Sequence, residues 1–174
     1  MPMSETLIRE LEQEAQTTRR VLERVPGDQL GWKPHDKSMS LGQLALHVAT
    51  IPGGVSEALR RSPMPVPQFK QASAASAAEL VPALEKSIAT AKAFLLATDD
   101  AALSGVWRVV DGDREVLALP LAAAVRSIML NHWYHHRGQL SVYLRQVGVP
   151  VPSIYGPSAD ENPFAARQAT AASV

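Results

Sequence analysis

The chain of 174 residues has no cysteine. That absence excludes disulfides, thiolate metal ligands and a cysteine nucleophile, so a bound metal would have to be held by His, Asp or Glu. Net charge is lacking too: 17 Lys and Arg balance 17 Asp and Glu. With no global field of either sign, neither nucleic acid nor a membrane surface is an expected partner. No apolar run approaches the ~18 residues of a membrane span, and no basic region followed by an apolar core opens the chain. A cytoplasmic location is therefore expected. No internal repeat is present. Hydrophobic residues at 46% and charged residues at 20% suit one folded domain over residues 1–164, with an Ala-rich tail from 165 to 174 expected to be disordered.

What is there is mostly helical periodicity. Leu7, Leu11, Ala15, Thr18, Leu22 and Val25 recur every three or four residues between a candidate N-cap at Ser4 and the Pro26-Gly27 stop, which predicts a first helix from Ser4 to Val25. A loop over 26–39 follows. Ser40 is placed to cap a second helix over 41–61, with a kink expected at Pro52-Gly53-Gly54. The proline-rich stretch 62–75 reads as a long crossover without regular structure. Leu80, Leu84, Ile88, Ala91 and Leu95 define a third helix behind a candidate cap at Ser76. The runs on either side of Asp111-Gly112-Asp113 predict a short β-hairpin over 106–118. Pro120 then opens the longest helix, which ends at Gly148. Beyond it, 149–157 reads as an extended arm. The pattern predicts an all-α protein: a four-helix bundle with one long crossover and a small β-hairpin before the last helix.

Three of the five histidines fall in Asn131-His132-Trp133-Tyr134-His135-His136-Arg137-Gly138-Gln139-Leu140 on that last helix. His132 and His136 stand at i and i+4, roughly 40° apart on a 100° step, and bracket the centre of the apolar residues Leu121, Val125, Ile128, Met129, Leu140, Tyr143 and Val147 at roughly +25°. His135 falls about 85° away from that centre. Two imidazoles are thus expected to face the core, where each needs a hydrogen-bond partner or a metal, and an i,i+4 pair can supply two ligands to one ion. His47 flanks the apolar face of the second helix, and spacing alone leaves it open between a hydrogen-bonded core histidine and a ligand. Arg137 reads as a salt-bridge partner or an anchor for an anionic substrate. Gly138 suggests close approach of a neighbouring element. Gln139 is placed to hydrogen-bond an imidazole. Trp133 and Tyr134 are expected to pack against the hairpin or a partner subunit, and Tyr155, Asp160 and Glu161 lie on an arm that folds over the site or seals the end of the bundle.

Leu-Gly-Gln-Leu-Ala-Leu-His-Val-Ala around His47, the helix motif around His132 and His136, and the following Val-Pro-Ser-Ile-Tyr-Gly-Pro-Ser-Ala-Asp-Glu together resemble the DinB/YfiT-like family of damage-inducible four-helix bundles, over roughly residues 7–161. The resemblance implies a divalent metal held by His47, His132 and His136: zinc first, with nickel, iron or manganese as alternatives. Three such ligands leave a coordination position open, the arrangement of a catalytic rather than a structural ion. The resemblance further implies a small-molecule substrate, a bound water or low-molecular-weight thiol as the reactive species in a thiol S-transferase or hydrolase type of reaction, and a homodimer. A non-catalytic metal-binding stress-response bundle is the alternative. No second motif in the sequence assigns a catalytic residue or selects the reaction.

Overall fold

The computed structural model describes residues 2–68 and 70–165. It is helix-rich with a small three-stranded sheet. Helix α1 spans Met3–Leu22. It starts earlier than Ser4 and its N-cap is Pro2, with no side-chain capping bond. Instead, the Met3 N–H donates to Asp100 Oδ1 at 2.8 Å, so an acidic side chain from elsewhere in the fold does the work of a local cap. The helix also stops three residues before Val25, which lies in the turn leading to Pro26.

Helix α2 spans Leu41–Leu59. Ser40 caps it as expected, and the cap is reciprocal: Ser40 Oγ accepts from the Gln43 N–H at 3.2 Å and Gln43 Oε1 accepts from the Ser40 N–H at 2.9 Å. The helix runs through Pro52 without ending. Proline at 52 has no N–H to give the carbonyl of residue 48, and that carbonyl instead accepts the indole N–H of Trp133 at 2.9 Å. Gly53 has a separate reason. A Cβ there would lie 2.9 Å from Ser87 Cα, and the Gly53 N–H donates to Ser87 Oγ at 2.7 Å. Glycine thus lets α2 close on α3, which spans Leu80–Leu96. Ser76 makes no capping bond; a single 3-10 turn, Ala77–Glu79, leads into α3, and Glu79 Oε1 accepts from the Ala75 N–H.

The crossover expected to lack regular structure contains a strand. Met64–Pro65 forms β1, pairing parallel with Val109 and Val110. It escapes a sequence reading because a two-residue strand within a proline-rich stretch carries no periodicity, and its pairing comes from a partner more than 40 residues away. The short helix α4, Asp100–Ser104, is capped by Asp99 and precedes the hairpin of β2, Val106–Asp111, and β3, Arg114–Pro120. Its turn places Gly112 at φ +60°, the left-handed conformation that Asp-Gly favours. The sheet order is β1-β2-β3.

Three helical stretches then follow without a break and are treated together as α5: Leu121–Ala124, a π-helical stretch Val125–Asn131, and His132–Gln146. Gly148, at φ +77°, stops it as expected. The core lies between α1, α2, α3 and α5, with Leu11, Leu44, Leu80, Leu95, Met129 and Leu140 fully buried in it. No helix among the described residues is long and apolar enough to cross a membrane. The expected tail, apart from Ala165, lies outside the described residues.

Candidate metal centre

The π-helical stretch decides where the histidines point. An i→i+5 helix turns less per residue than an α-helix, so a wheel carried across residues 125–131 at a constant step runs out of phase. Downstream of it the buried residues are Trp133, Arg137, Leu140 and Leu144, centred roughly 110° from His132 rather than 25°. His132 and His136 therefore do not face the core. They sit half-buried on its flank, turned toward α2, where His47 is also half-buried.

The three imidazoles converge there. His47 Nε2 and His132 Nε2 are 3.4 Å apart, and ring centroids are separated by 5.2 Å for His47 and His132, 4.6 Å for His47 and His136, and 4.6 Å for His132 and His136. One nitrogen from each lies within 4.8 Å of the other two. Two nitrogens at ~2.1 Å from one tetrahedral ion stand about 3.4 Å apart, so the closest pair already has the required spacing. The far sides are occupied. His136 Nδ1 is 2.7 Å from Gln139 Oε1, an acceptor that fixes the proton on Nδ1 and leaves Nε2 free to ligate. His132 hydrogen-bonds the Ile128 carbonyl, while its backbone N–H goes to the Met129 carbonyl.

Burial lowers the pKa of all three rings. His47 falls to about 4, through desolvation first and then the neighbouring His136 and His132. Desolvation is also the leading cause for His132 and His136, opposed by their hydrogen bonds to Ile128 and Gln139. The cluster is thus held neutral at pH 7, the form in which imidazole binds a metal.

An apolar cavity of about 610 Å³ opens beside His47 and His132, between α2, the π-helical stretch and the sheet. His136 does not line it.

The other sequence candidates lie elsewhere. His35 is exposed in the first loop, its Nδ1 accepting from the Lys37 N–H at 3.1 Å. His135 is exposed beside His136 and outside the three-nitrogen cluster. Arg137, 1% exposed, pairs with Glu14 at 2.5 Å and with Thr18 Oγ1 at 3.1 Å, so it is a salt-bridge partner turned away from the cluster. Trp133 reaches α2 rather than the hairpin. Nothing lies within 4 Å of a Cβ built on Gly138, which corrects the expected close approach. The arm is fastened to α1 and α5: Tyr155 to Arg137 and Glu14, Asp160 to Arg145, Glu161 to Arg20. Tyr134 donates to Glu10 Oε1 at 2.9 Å. Sequence reasoning missed the Ile128 carbonyl and the Pro52, Val48 and Trp133 linkage. A proline inside an apolar helix was the signal for the second, since it always leaves a carbonyl to be claimed.

Known proteins agree with this architecture. A DinB-like protein from Bacillus cereus superposes with a TM-score of 0.70 at 21% identity, covering 88% of this chain and 98% of that one. A DinB-like protein from Bacillus subtilis does so with a TM-score of 0.62 at 18% identity, covering 83% and 95%. At such identities the likeness is one of fold. The uncharacterized protein YrdA of Bacillus subtilis is 52% identical over 33 residues, only 19% of this chain and 20% of that protein. The model of the DinB family matches residues 1–167, nearly the whole sequence, and on that ground the chain belongs to the DinB family.

Proposed function

We propose that this protein is a divalent-metal-dependent enzyme in which His47, His132 and His136 hold the ion, within a frame read as a DinB/YfiT-type four-helix bundle. The observation that carries the reading is the convergence of three neutral imidazoles within 4.8 Å, with two of them hydrogen-bonded on their far sides. Such a donor set fits zinc first, and nickel, iron or manganese as alternatives, and it leaves one coordination position open. A metal bound there would supply Lewis acidity, lowering the pKa of a coordinated water or small-molecule thiol. The chain's own residues neutralise, orient and shield. Gln139 and Ile128 fix the imidazoles, and the apolar walls of the cavity exclude water from one side. The reaction class is thiol S-transfer or hydrolysis on a small-molecule substrate, and a homodimer is the working unit, the commonest closed assembly of soluble proteins.

Metal stoichiometry on purified protein tests the site. Bound metal should drop sharply in His47→Ala, His132→Ala and His136→Ala and persist in His35→Ala and His135→Ala. Full retention in His47→Ala would overturn the three-ligand reading. Turnover by loaded protein, assayed with low-molecular-weight thiols and an electrophile, separates an enzyme from a non-catalytic metal-binding bundle, in which metal is retained and no thiol is consumed. Light scattering at micromolar concentration tests the dimer; a mass of 18.8 kDa would contradict it.

A further inference from the structure

Helix α2 carries two adjacent glycines, and only one of them is explained by packing. Gly53 meets Ser87, as described above. Gly54 is exposed, and a Cβ built on it meets nothing within 4 Å, so no neighbour requires glycine there. In a helix interior glycine is less favourable than alanine. Gly54 lines the cavity beside the histidines. At 100° per residue it projects within roughly 20° of His47 around the α2 axis, with Ala58 equally close on the other side. The two smallest side chains on this face therefore lie in line with His47, where larger ones would fill the space in front of the cluster.

The walls set the chemistry of what fits. Ile51, Met64, Trp107, Val109 and Ile128 line the cavity, Thr50 and Arg61 add a hydroxyl and a guanidinium, no carboxylate among the described residues does, and its volume of about 610 Å³ falls within the range of small-molecule sites. A sugar-like ligand would give up many water hydrogen bonds here and find few in exchange, from Thr50, Arg61 and the two imidazoles. An apolar body of aromatic or branched aliphatic type is favoured by burial alone.

We propose that this cavity binds the uncharged apolar body of a small-molecule substrate, held against the His47 and His132 side of the cluster, and that Gly54 and Ala58 set the room available to it. This rests on the metalloenzyme reading for the meaning of the cluster but not for the binding itself.

The test uses the neutral fluorophore N-phenyl-1-naphthylamine on the full chain, with and without zinc. The unmodified protein should bind it saturably. Gly54→Leu should weaken binding about tenfold or more, because its side chain would occupy space the probe needs. Ala58→Phe should do the same. Gly138→Leu, the same change at an exposed helical glycine outside the cavity, should leave binding unaltered. Zinc binding by Gly54→Leu serves as the check on folding. Absence of saturable binding, or equal affinity in Gly54→Leu and Ala58→Phe, would overturn the proposal. Probe binding by a protein that takes up no metal would leave it standing and remove the metalloenzyme reading instead.

Discussion

The indole N–H of Trp133 donates to the backbone carbonyl of Val48 over 2.9 Å, inside the core. Each of these residues directly follows a histidine of the cluster, His132 on α5 and His47 on α2. Because the bond is made to backbone on one side and a fully buried ring on the other, it fixes how the two helices face each other just where the histidines must meet. Pro52 makes it possible by withholding the N–H that would otherwise compete for the same carbonyl.

Trp133→Phe should therefore destabilise by more than its packing loss, because the Val48 carbonyl is left buried and unsatisfied at a cost of about 1–3 kcal/mol. Pro52→Ala restores a donor within the helix. In the Trp133→Phe background it should recover part of that loss, whereas in the unmodified protein it should not. A double-mutant cycle by urea unfolding checks this; additive effects would mean that the proline and the indole are not coupled.

Arg137 and Glu14 are the second tie, joining α5 to α1. The guanidinium is 1% and the carboxylate side chain 8% exposed, with 2.5 Å between them, and Tyr155 Oη bonds to both. Removing one partner leaves a charge without water, so Arg137→Ala or Glu14→Ala should each lose about 3–5 kcal/mol. Replacing the group together, as Arg137→Met with Glu14→Leu and Tyr155→Phe, should be far milder than either single change. Chemical denaturation of the three proteins decides it, and a triple variant as weak as the singles would show that packing rather than charge holds this junction.

The His132 and His136 pair is legible in the sequence because both residues fall in the α-helical part of α5, where i,i+4 spacing survives. Which way the pair faces is not, since the π-helical stretch lies upstream and shifts the phase. Nothing in residues 125–131 looks different from an ordinary amphipathic helix. The same shift hides the burial of Trp133 and Arg137, polar-tipped residues that a constant-step wheel puts near the edge of the core. The second helix is easier: Ser40 and Gln43 spell out the capping box. His47 cannot be chosen by spacing, because its partners are 85 and more residues away; only the resemblance to a family singles it out. The strand at Met64–Pro65 needs β2 beside it before it exists at all.

Gln139 is one turn along from His136, and its Oε1 lies 2.7 Å from the ring Nδ1. Groups in this position orient a ligating imidazole and raise its basicity, and their loss typically weakens metal binding 10–100-fold. Gln139→Leu should therefore lower zinc affinity by about that factor, while leaving thermal stability of the metal-free protein nearly unchanged, since the residue is exposed. Gln139→Glu keeps an acceptor and should retain tight binding. Competition against a chromophoric chelator measures both, and wild-type affinity in Gln139→Leu would show that the contact plays no part.

The last prediction concerns pH. The folded protein holds His47 at about 4, against 6.5 for an ordinary histidine, because burial and the facing His136 and His132 disfavour its charged form. His132 and His136 are lowered in the same direction. Below 6.5 the unfolded chain takes up protons that the folded chain refuses, so stability rises with pH across this window. The contribution of His47 is full above 6.5, fades as the pH drops toward 4, and falls no further below that. Carboxylates such as Asp160 and Glu161 also lose their partners in acid, which makes the difference from a variant the informative quantity. His47→Gln should lose less stability than the unmodified protein between pH 6.5 and 4, with the gap constant above pH 7. For the metal the same shift works in favour of binding. Protons compete for free histidines at about 6.5, but for these rings only at lower pH, so zinc release should have its midpoint below 6.5. Once the rings do titrate, affinity should fall by up to about three powers of ten per pH unit, a proton for each ligand. A release midpoint at or above 6.5 would mean that the cluster is not held neutral in advance, and a release curve with the slope of a single proton would mean that the three histidines do not bind the ion together.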